Sequence, residues 1–280
     1  MRSMTTDTHD IEIRSIAHVN PQAIRACLNE IGRKDPLVVP PRSGSMVGHF
    51  RAACVGEAVV GVGWLYRRQG RAELDVRVTP RYRKQGVGSL LFDYLTKNNQ
   101  FDLYAGCDTA QKTADRFLLK RGFNLHGVLF AQRWDGEIED VPSAFATVSL
   151  RETVDRDEIM TMLNQCYENS WFNPALGPED FDRADVETQI AWRDDRPVGC
   201  MVARITDDTV WIAAIGTVPQ SRGLGVGRAM LSNVMQRVAT EQKGIVLLTP
   251  ADDEFALKWT RSLGFWTYRS WNQYVLRPGA

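Results

Sequence analysis

The stretch Gln220–Gly227, which reads QSRGLGVG, places three glycines at alternate positions. A hydrophobic run, VWIAAIGTVP (Val210–Pro219), precedes it, and a run with helical spacing, RAMLSNVMQRVATEQ (Arg228–Gln242), follows it. A glycine-rich turn between a strand and a helix presents several unpaired N–H groups in one direction, and the helix dipole adds positive potential. The stretch therefore predicts a site for a phosphate or pyrophosphate, with a tight turn that binds nothing as the alternative.

The same motif occurs a second time in the chain. Arg81–Gly88 reads RYRKQGVG, and both copies fit the pattern Pro-x-x-Arg-x-x-Gly-x-Gly. The two motif arginines, Arg83 and Arg222, lie 139 residues apart (222 − 83), which is about half of the 280 residues. A repeat at half the chain length indicates two similar domains.

The surroundings of the motif repeat as well. Three β-rich runs separated by polar turns precede each copy, which predicts a meander of hairpins. Each copy is followed by an amphipathic helix, a short apolar strand and a second helix that ends in Gly-Phe, at Gly122 and Gly264. We expect an N-terminal lobe at 1–134, an acidic linker at 135–145 and a C-terminal lobe at 146–280.

Two other phosphate-binding motifs are excluded by spacing. The dinucleotide fingerprint needs G-x-G-x-x-G or A, but the third small residue is replaced by Leu91 in the first copy and Met230 in the second. The Walker loop G-x-x-x-x-G-K-[ST] is absent from the sequence. The glycines therefore belong to a different kind of loop.

The charge balance of the chain argues against one class of function. Lys+Arg and Asp+Glu both number 34, so a generic nucleic-acid binder is not expected. The five cysteines form no CxxC pair and no HExxH motif occurs, so we predict reduced thiols and no metal site. The first ten residues lack the apolar core of a signal peptide, and no run approaches the roughly 20 apolar residues of a membrane helix. We expect a cytoplasmic protein.

With these motifs in order, the chain resembles the GNAT superfamily of acetyl-CoA-dependent N-acetyltransferases. ELDVRVTPRYRKQGVGSLL and AAIGTVPQSRGLGVGRAML look like its signature, and ADRFLLKRGF and ALKWTRSLGF look like its fourth helix. The resemblance covers nearly the whole chain as a tandem pair. It implies an α/β (α+β) fold with two tandem GNAT-like lobes, each a mixed, mostly antiparallel sheet flanked by helices.

The resemblance also implies a binding mode for acetyl-CoA, the co-substrate. The loop amides would hold the pyrophosphate, and the last strand before each loop would pair with the pantetheine. The residues carried over for cofactor binding are Val76, Val78, Arg83, Lys84, Gln85, Gly86, Val87 and Gly88 in the first lobe, and Ile215, Thr217, Arg222, Gly223, Leu224, Gly225, Val226 and Gly227 in the second.

The catalytic residues of the family are not matched. Ala72 and Trp211 stand where many members place a catalytic glutamate, and Leu118 and Thr260 stand where a general-acid tyrosine is common. Glu73 and Asp75 fall on the opposite strand face and are expected to be surface carboxylates, with a catalytic role as the alternative if the strand has a bulge. The second half of the chain contains no histidine. The catalytic residues therefore stay unknown.

The main hypothesis is an N-acetyltransferase that acts on the amine of a small molecule, with the C-terminal lobe active. The segment Cys166–Phe181, which carries Tyr167, Trp171, Phe172 and the carboxylates Glu168, Glu179 and Asp180, is expected to contact the acceptor. The alternatives are a CoA-binding sensor without turnover and a protein acetyltransferase. We expect a monomer or homodimer, with neither nucleic acid nor membrane as a partner.

Overall fold

The computed structural model describes residues 10–31, 48–68, 71–137, 148–153, 155–168, 170–172, 176, 181 and 184–278. Most of the expected linker and the carboxylates Glu179 and Asp180 lie outside the described residues. Within them the chain forms two compact units, each a mixed sheet flanked by helices, which confirms the predicted fold class. A lobe is one repeat of the sequence, and a unit is one compact body of the fold.

The first unit contains a five-stranded meander that ends in a parallel crossover. Its strands are hydrogen-bonded in the order β1-β2-β3-β4-β5, antiparallel except for the parallel β4–β5 pair. The elements are β1 (Ile11–Ser15), α1 (Pro21–Glu30), β2 (Gly48–Val55), β3 (Ala58–Arg68), β4 (Arg71–Val78), α2 (Val87–Thr96), β5 (Asp102–Asp108) and α3 (Lys112–Leu119).

The second unit repeats this arrangement. Its strands lie in the order β7-β8-β9-β10-β11-β6, again antiparallel except for one parallel pair, β10–β11. The elements are β6 (Asn124–Trp134), β7 (Ser149–Glu152), α4 (Arg156–Tyr167), β8 (Val186–Arg193), β9 (Arg196–Ile205), β10 (Thr209–Thr217), α5 (Val226–Thr240), β11 (Gly244–Pro250), α6 (Glu254–Ser262) and β12 (Trp266–Leu276).

The compact units are assembled across the boundary between the sequence lobes. Strand β6 comes from the first lobe, but most of it belongs to the second unit and pairs antiparallel with β11, from Trp134 opposite Ile245 to Leu129 opposite Pro250. The end of β12 belongs to the first unit, where Tyr274 is buried in the core and its hydroxyl donates to Asp115. Each compact unit thus contains residues from both sequence lobes: most of β6 lies in the second unit, and the end of β12, from Gln273, lies in the first.

The predicted elements around each motif are confirmed. The β-rich runs form β2, β3 and β4 in one unit and β8, β9 and β10 in the other, and the amphipathic runs form α2 and α5. Gly122 and Gly264 end α3 and α6 with φ of 81° and 85°, a conformation that side chains disfavour. Among the described residues, no helix is long and apolar enough to cross a membrane, and no cluster could hold a metal ion.

Close helix–sheet packing in both units depends on a strand glycine. A Cβ built at Gly199 on β9 would lie 2.7 Å from the carbonyl oxygen of Gly216 and 3.0 Å from Val226. A Cβ at Gly61 on β3 would meet the equivalent atoms of Arg77 and Val87 at 3.0 and 3.1 Å. These glycines let the helix after the glycine loop lie directly on the sheet, which fixes the loop at the strand end.

Candidate active site

Strand β10 separates from β11 halfway along its length. The parallel pairing runs from Thr209 opposite Gly244 to Ile212 opposite Leu247 and then stops, whereas β10 stays paired with β9 as far as Thr217. A wedge-shaped gap therefore opens beside the second half of β10, with one edge of its backbone turned away from β9. An open strand edge of this kind can pair with an extended ligand.

A β-bulge lies at the apex of the gap. The register between β10 and β9 shifts between Ile212 and Ala214, so Ala213 is passed over in the pairing. A bulge re-aims the backbone groups that follow it and is common beside active sites. In the second unit, the bulge and the strand separation occur within one residue of each other.

The glycine loop follows at the open end of the gap. Gly223 and Gly225 both have φ of 78°, and α5 begins at Val226 without a side chain capping its first turn. The first N–H groups of α5 are therefore left for a ligand. The motif arginine braces this loop, because Arg222 donates from Nε to the Thr217 carbonyl (3.3 Å) and from Nη2 to the Cys166 carbonyl (3.0 Å).

A cavity of about 1080 Å³ connects these features within the second unit. Its walls are the last turn of α4, the end of β10, the glycine loop and the first turn of α6. Among the predicted cofactor residues of the second lobe, it is lined by Ile215, Thr217, Arg222, Gly223, Gly225, Val226 and Gly227. The structure thus brings the second-lobe set, except the exposed Leu224, together around one space, large enough for an extended ligand and a small second molecule.

The last turn of α4 contacts β10 directly at Gly216. A Cβ at Gly216 would lie 2.5 Å from the Cβ of Cys166 and 3.4 Å from the ring of Tyr167, so a side chain at this position would push the helix away. The Tyr167 hydroxyl reaches the open edge of β10, where it accepts from the Ile215 N–H (3.2 Å) and donates to the Ile215 carbonyl (2.8 Å). Burial raises the pKa of the Tyr167 phenol, so it stays a neutral donor.

Two thiols lie behind this contact. Cys166 on α4 and Cys200 on β9 are buried and share a hydrogen bond. That bond lowers the pKa of Cys166, and the nearby Arg222 guanidinium lowers it further, whereas the same bond and burial raise the pKa of Cys200. The five cysteines are all free and buried, in agreement with the predicted reduced thiols.

The far side of the cavity is aromatic and acidic. Trp171 donates from Nε1 to both carboxylate oxygens of Asp252 (3.0 and 3.1 Å) and stands edge-on to Phe172. The Trp171 ring lies so close to Gly127 on β6 that a Cβ there would be 2.4 Å away. The carboxylates that line the cavity are those of Glu168, Asp252, Asp253 and Glu254.

The first unit has the same loop on a different strand. Lys84 (φ 62°) and Gly86 (φ 83°) repeat the backbone of Gly223 and Gly225, and Arg83 donates to the Val78 carbonyl at 3.1 Å. Strands β4 and β5 also separate after Leu74 opposite Ala105. However, the register of β4 with β3 is continuous from Arg71 to Val78, without a bulge.

The positions that depart from the family pattern are structural here. Ala72, Trp211, Leu118 and Thr260 are all buried, and Thr260 donates to Gln132 at 3.0 Å. Asp75 pairs with Arg77 at 3.1 Å and Glu73 with Arg71 at 3.7 Å, so both carboxylates are engaged by neighbouring arginines. None of these six positions supplies a group to the cavity.

Sequence reasoning missed Gly216 and the role of Tyr167 at β10. An isolated glycine within a strand pattern signals a close backbone approach, and Gly216 in VWIAAIGTVP carried that signal. Tyr167 was singled out only as an acceptor contact, because nothing local indicates that its hydroxyl reaches a strand 48 residues later.

Comparisons with known proteins agree with this geometry. The sequence model of the Acetyltransferase (GNAT) family matches residues 24–123 and 156–265. No curated protein matches. Similar solved structures include a GCN5-related N-acetyltransferase from Sphaerobacter thermophilus (16% identity, 98% of each chain covered, TM-score 0.70). A tandem GNAT protein from the clavulanic acid biosynthesis pathway is also similar (14% identity, 96% of this chain and 99% of that one, TM-score 0.71).

Because the family model matches both halves of the chain, and because each half supplies the strand, glycine loop and helix of one unit, the protein belongs to the acetyltransferase (GNAT) family as a tandem two-lobe member.

Proposed function

We propose that the protein transfers an acetyl group from acetyl-CoA to the amine of a small molecule, and that the reaction takes place in the second unit. The observation that carries this proposal is that the open end of the gap beside β11 and the glycine loop before α5 line one cavity, and that the bulge in β10 at Ala213 lies two residues before Ile215, the first β10 residue of that lining. The first unit has the loop and the gap without the bulge.

Acetyl-CoA would bind along the gap. The N–H groups from Leu224 to Gly227 would hold the pyrophosphate at the start of α5, where the helix dipole favours an anion. The pantetheine would extend toward the bulge and pair with the open edge of β10 at Ile215 and Thr217. The thioester would then lie near Ala213, where re-aimed backbone N–H groups face the developing oxyanion.

The reaction is direct attack with both substrates bound. The amine nitrogen forms a bond to the thioester carbon, the C–S bond breaks, and CoA leaves as the thiol or thiolate. Holding both reactants in one cavity supplies orientation, so no covalent enzyme intermediate is needed. The attacking nitrogen gives up a proton, for which the cavity carboxylates are the candidate acceptors.

The walls of the cavity favour a cationic acceptor. Four carboxylates attract an ammonium group, and Trp171 offers an aromatic face beside them. A cavity of about 1080 Å³ with these walls suits a small amine, such as a polyamine, an amino sugar or an amino acid derivative. With all five thiols free, the cytoplasm is the expected compartment.

A calorimetric titration with acetyl-CoA, followed by a thiol-release assay across a panel of small amines and lysine peptides, tests the proposal. We expect saturable binding and release of CoA with at least one small amine. Binding without release across the panel would instead support a CoA-binding sensor, and release only with peptides would support a protein acetyltransferase. No binding at millimolar acetyl-CoA would overturn the proposal.

A further inference from the structure

Tyr167 occupies the part of β10 that an incoming cofactor needs. Its hydroxyl accepts from the Ile215 N–H at 3.2 Å and donates to the Ile215 carbonyl at 2.8 Å. The two amides of the pantetheine chain would use the same two groups, the N–H of one donating to the Ile215 carbonyl and the C=O of the other accepting from the Ile215 N–H. The Tyr167 hydroxyl occupies both groups on the open strand edge, so it and a paired pantetheine cannot be there together.

The position of Tyr167 is fixed by contacts on three sides. The lack of a side chain at Gly216 lets the last turn of α4 reach β10, and Arg222 ties the carbonyl of Cys166 to the carbonyl of Thr217. Cys166 is buried against Cys200 on β9. The tyrosine is therefore delivered to β10 by packed structure, and both Tyr167 and Ile215 line the cavity.

The first unit is built differently at the equivalent positions. With the 139-residue offset that relates the two motifs, Arg77 stands for Gly216. A strand residue with a side chain cannot receive a helix as closely as Gly216 does. The arrangement at Ile215 is accordingly a property of the second unit, which is the unit proposed to be active.

We propose that Tyr167 is an affinity- and specificity-determining residue of the cofactor channel, whose hydroxyl must leave Ile215 before pantetheine can pair with β10. The inference rests on the proposed function of the second unit. It means that part of the binding free energy of CoA is used to displace the hydroxyl. A ligand that has the nucleotide and pyrophosphate but no pantetheine does not have to displace it.

The experiment compares two ligands and three proteins by calorimetry. The ligands are CoA and adenosine 3′-phosphate 5′-diphosphate, which lacks pantetheine. The proteins are the wild type, Tyr167→Phe and the control Tyr94→Phe, in which a hydroxyl is removed from an exposed tyrosine of the first unit. Phenylalanine keeps the ring that packs on Gly216, so the fold is expected to survive, and thermal unfolding of each protein checks that it does.

We expect Tyr167→Phe to lower the Kd for CoA about threefold to tenfold, because one or two hydrogen bonds no longer have to be broken. Its Kd for the nucleotide should be unchanged, and Tyr94→Phe should change neither value. Unchanged or weaker CoA binding by Tyr167→Phe would overturn the inference. Failure of the wild type to bind either ligand would overturn the proposed function itself, so the two failures are distinguishable.

A measurement on the wild-type chain covers the case in which Tyr167→Phe is unstable. With ¹³Cζ-labelled tyrosine, CoA should shift one tyrosine resonance that the nucleotide alone leaves in place, because only CoA releases the hydroxyl from Ile215. Identical spectra with the two ligands would contradict the displacement of Tyr167.

Discussion

Strands β4 and β10 are the same element in the two halves of a duplicated chain, yet they end in different geometry. Each separates from its parallel neighbour, and each leads into a loop with the same pair of left-handed residues, Lys84 and Gly86 or Gly223 and Gly225. Only β10 has a bulge, at Ala213. The conformation of the glycine loop can thus be kept while the geometry of the strand before it changes.

The residues that pack against the two strands also differ. Gly216 on β10 receives the end of α4, whereas its counterpart Arg77 on β4 is paired with Asp75 and lies over the ring of Trp64. An ion pair between two residues of β4 thus lies on that strand, whereas the corresponding part of β10 contacts a helix and lines a cavity. The comparison predicts that chemistry belongs to β10 and that any role of the first loop is limited to binding.

Removing the bulge should have the largest effect. Deletion of Ala213 would give β10 the continuous register of β4, and we expect the transfer rate to fall about 10²- to 10³-fold, as for the loss of an oxyanion donor. Affinity for CoA should change much less, since the glycine loop is untouched. Steady-state kinetics and calorimetry measure the two effects, with Ala213→Gly as the control that keeps the bulge. A deletion variant that is folded and fully active would contradict the prediction that transfer depends on the bulge in β10.

A negative charge placed in the glycine loop of the second unit should weaken the binding of acetyl-CoA. Leu224→Glu places a carboxylate beside the proposed pyrophosphate site, and we expect the Kd for acetyl-CoA to rise about 10- to 100-fold relative to Leu224→Gln. The matched change in the first loop is Gln85→Glu, because Gln85 occupies the equivalent position. Loss of transfer in Gln85→Glu but not in Leu224→Glu would place the reaction in the first unit and reverse the comparison.

The close contact between Gly216 and the end of α4 should affect the free energy of unfolding. Gly216→Ala puts a methyl group 2.5 Å from the Cβ of Cys166, and overpacking of this kind lowers the free energy of unfolding by about 1–3 kcal/mol. A suitable control is Gly88→Ala, whose Cβ would make an ordinary contact with Phe117 at 3.5 Å. Denaturant unfolding measures both variants. Equal stability of the two would mean that α4 can retreat from β10 without loss.

Two buried helix cysteines, Cys27 on α1 and Cys166 on α4, should differ in alkylation rate by a smaller factor. Burial raises the pKa of Cys27 to about 12, whereas the hydrogen bond with Cys200 and then Arg222 lower the pKa of Cys166. Cys166 lines the cavity, through which a small reagent can reach it, and a larger fraction of it is thiolate at pH 8, so peptide mapping after iodoacetamide treatment should show faster alkylation at Cys166 than at Cys27. The rate at Cys27 should keep rising with pH up to pH 10, and acetyl-CoA should protect Cys166. Equal alkylation rates at Cys27 and Cys166, or no protection of Cys166 by acetyl-CoA, would contradict the predicted difference between the two cysteines.

Much of the fold could be predicted because it is local. The runs around AVVGVGWLYRR and PVGCMVARI form β3 and β9, and the glycine loops connect a strand to a helix as expected. The bulge could not be predicted, since it is a property of the register between β9 and β10. The membership of β6 in the second unit could not be predicted either, because a strand shows the same alternation whichever neighbour it pairs with.

The sequence by itself determined that the chain is a duplication, that each half has a glycine loop between a strand and a helix, and that the family is the one with this order of elements. These properties depend on residue types at short, fixed spacings. The tertiary structure alone decided that β10 is bulged, that Gly216 admits the end of α4, and that the Tyr167 hydroxyl rests on Ile215. The physical reason is that each of these features depends on contacts between segments far apart in the chain. Local sequence patterns are compatible with several such arrangements, and only the packing and the strand register select one of them.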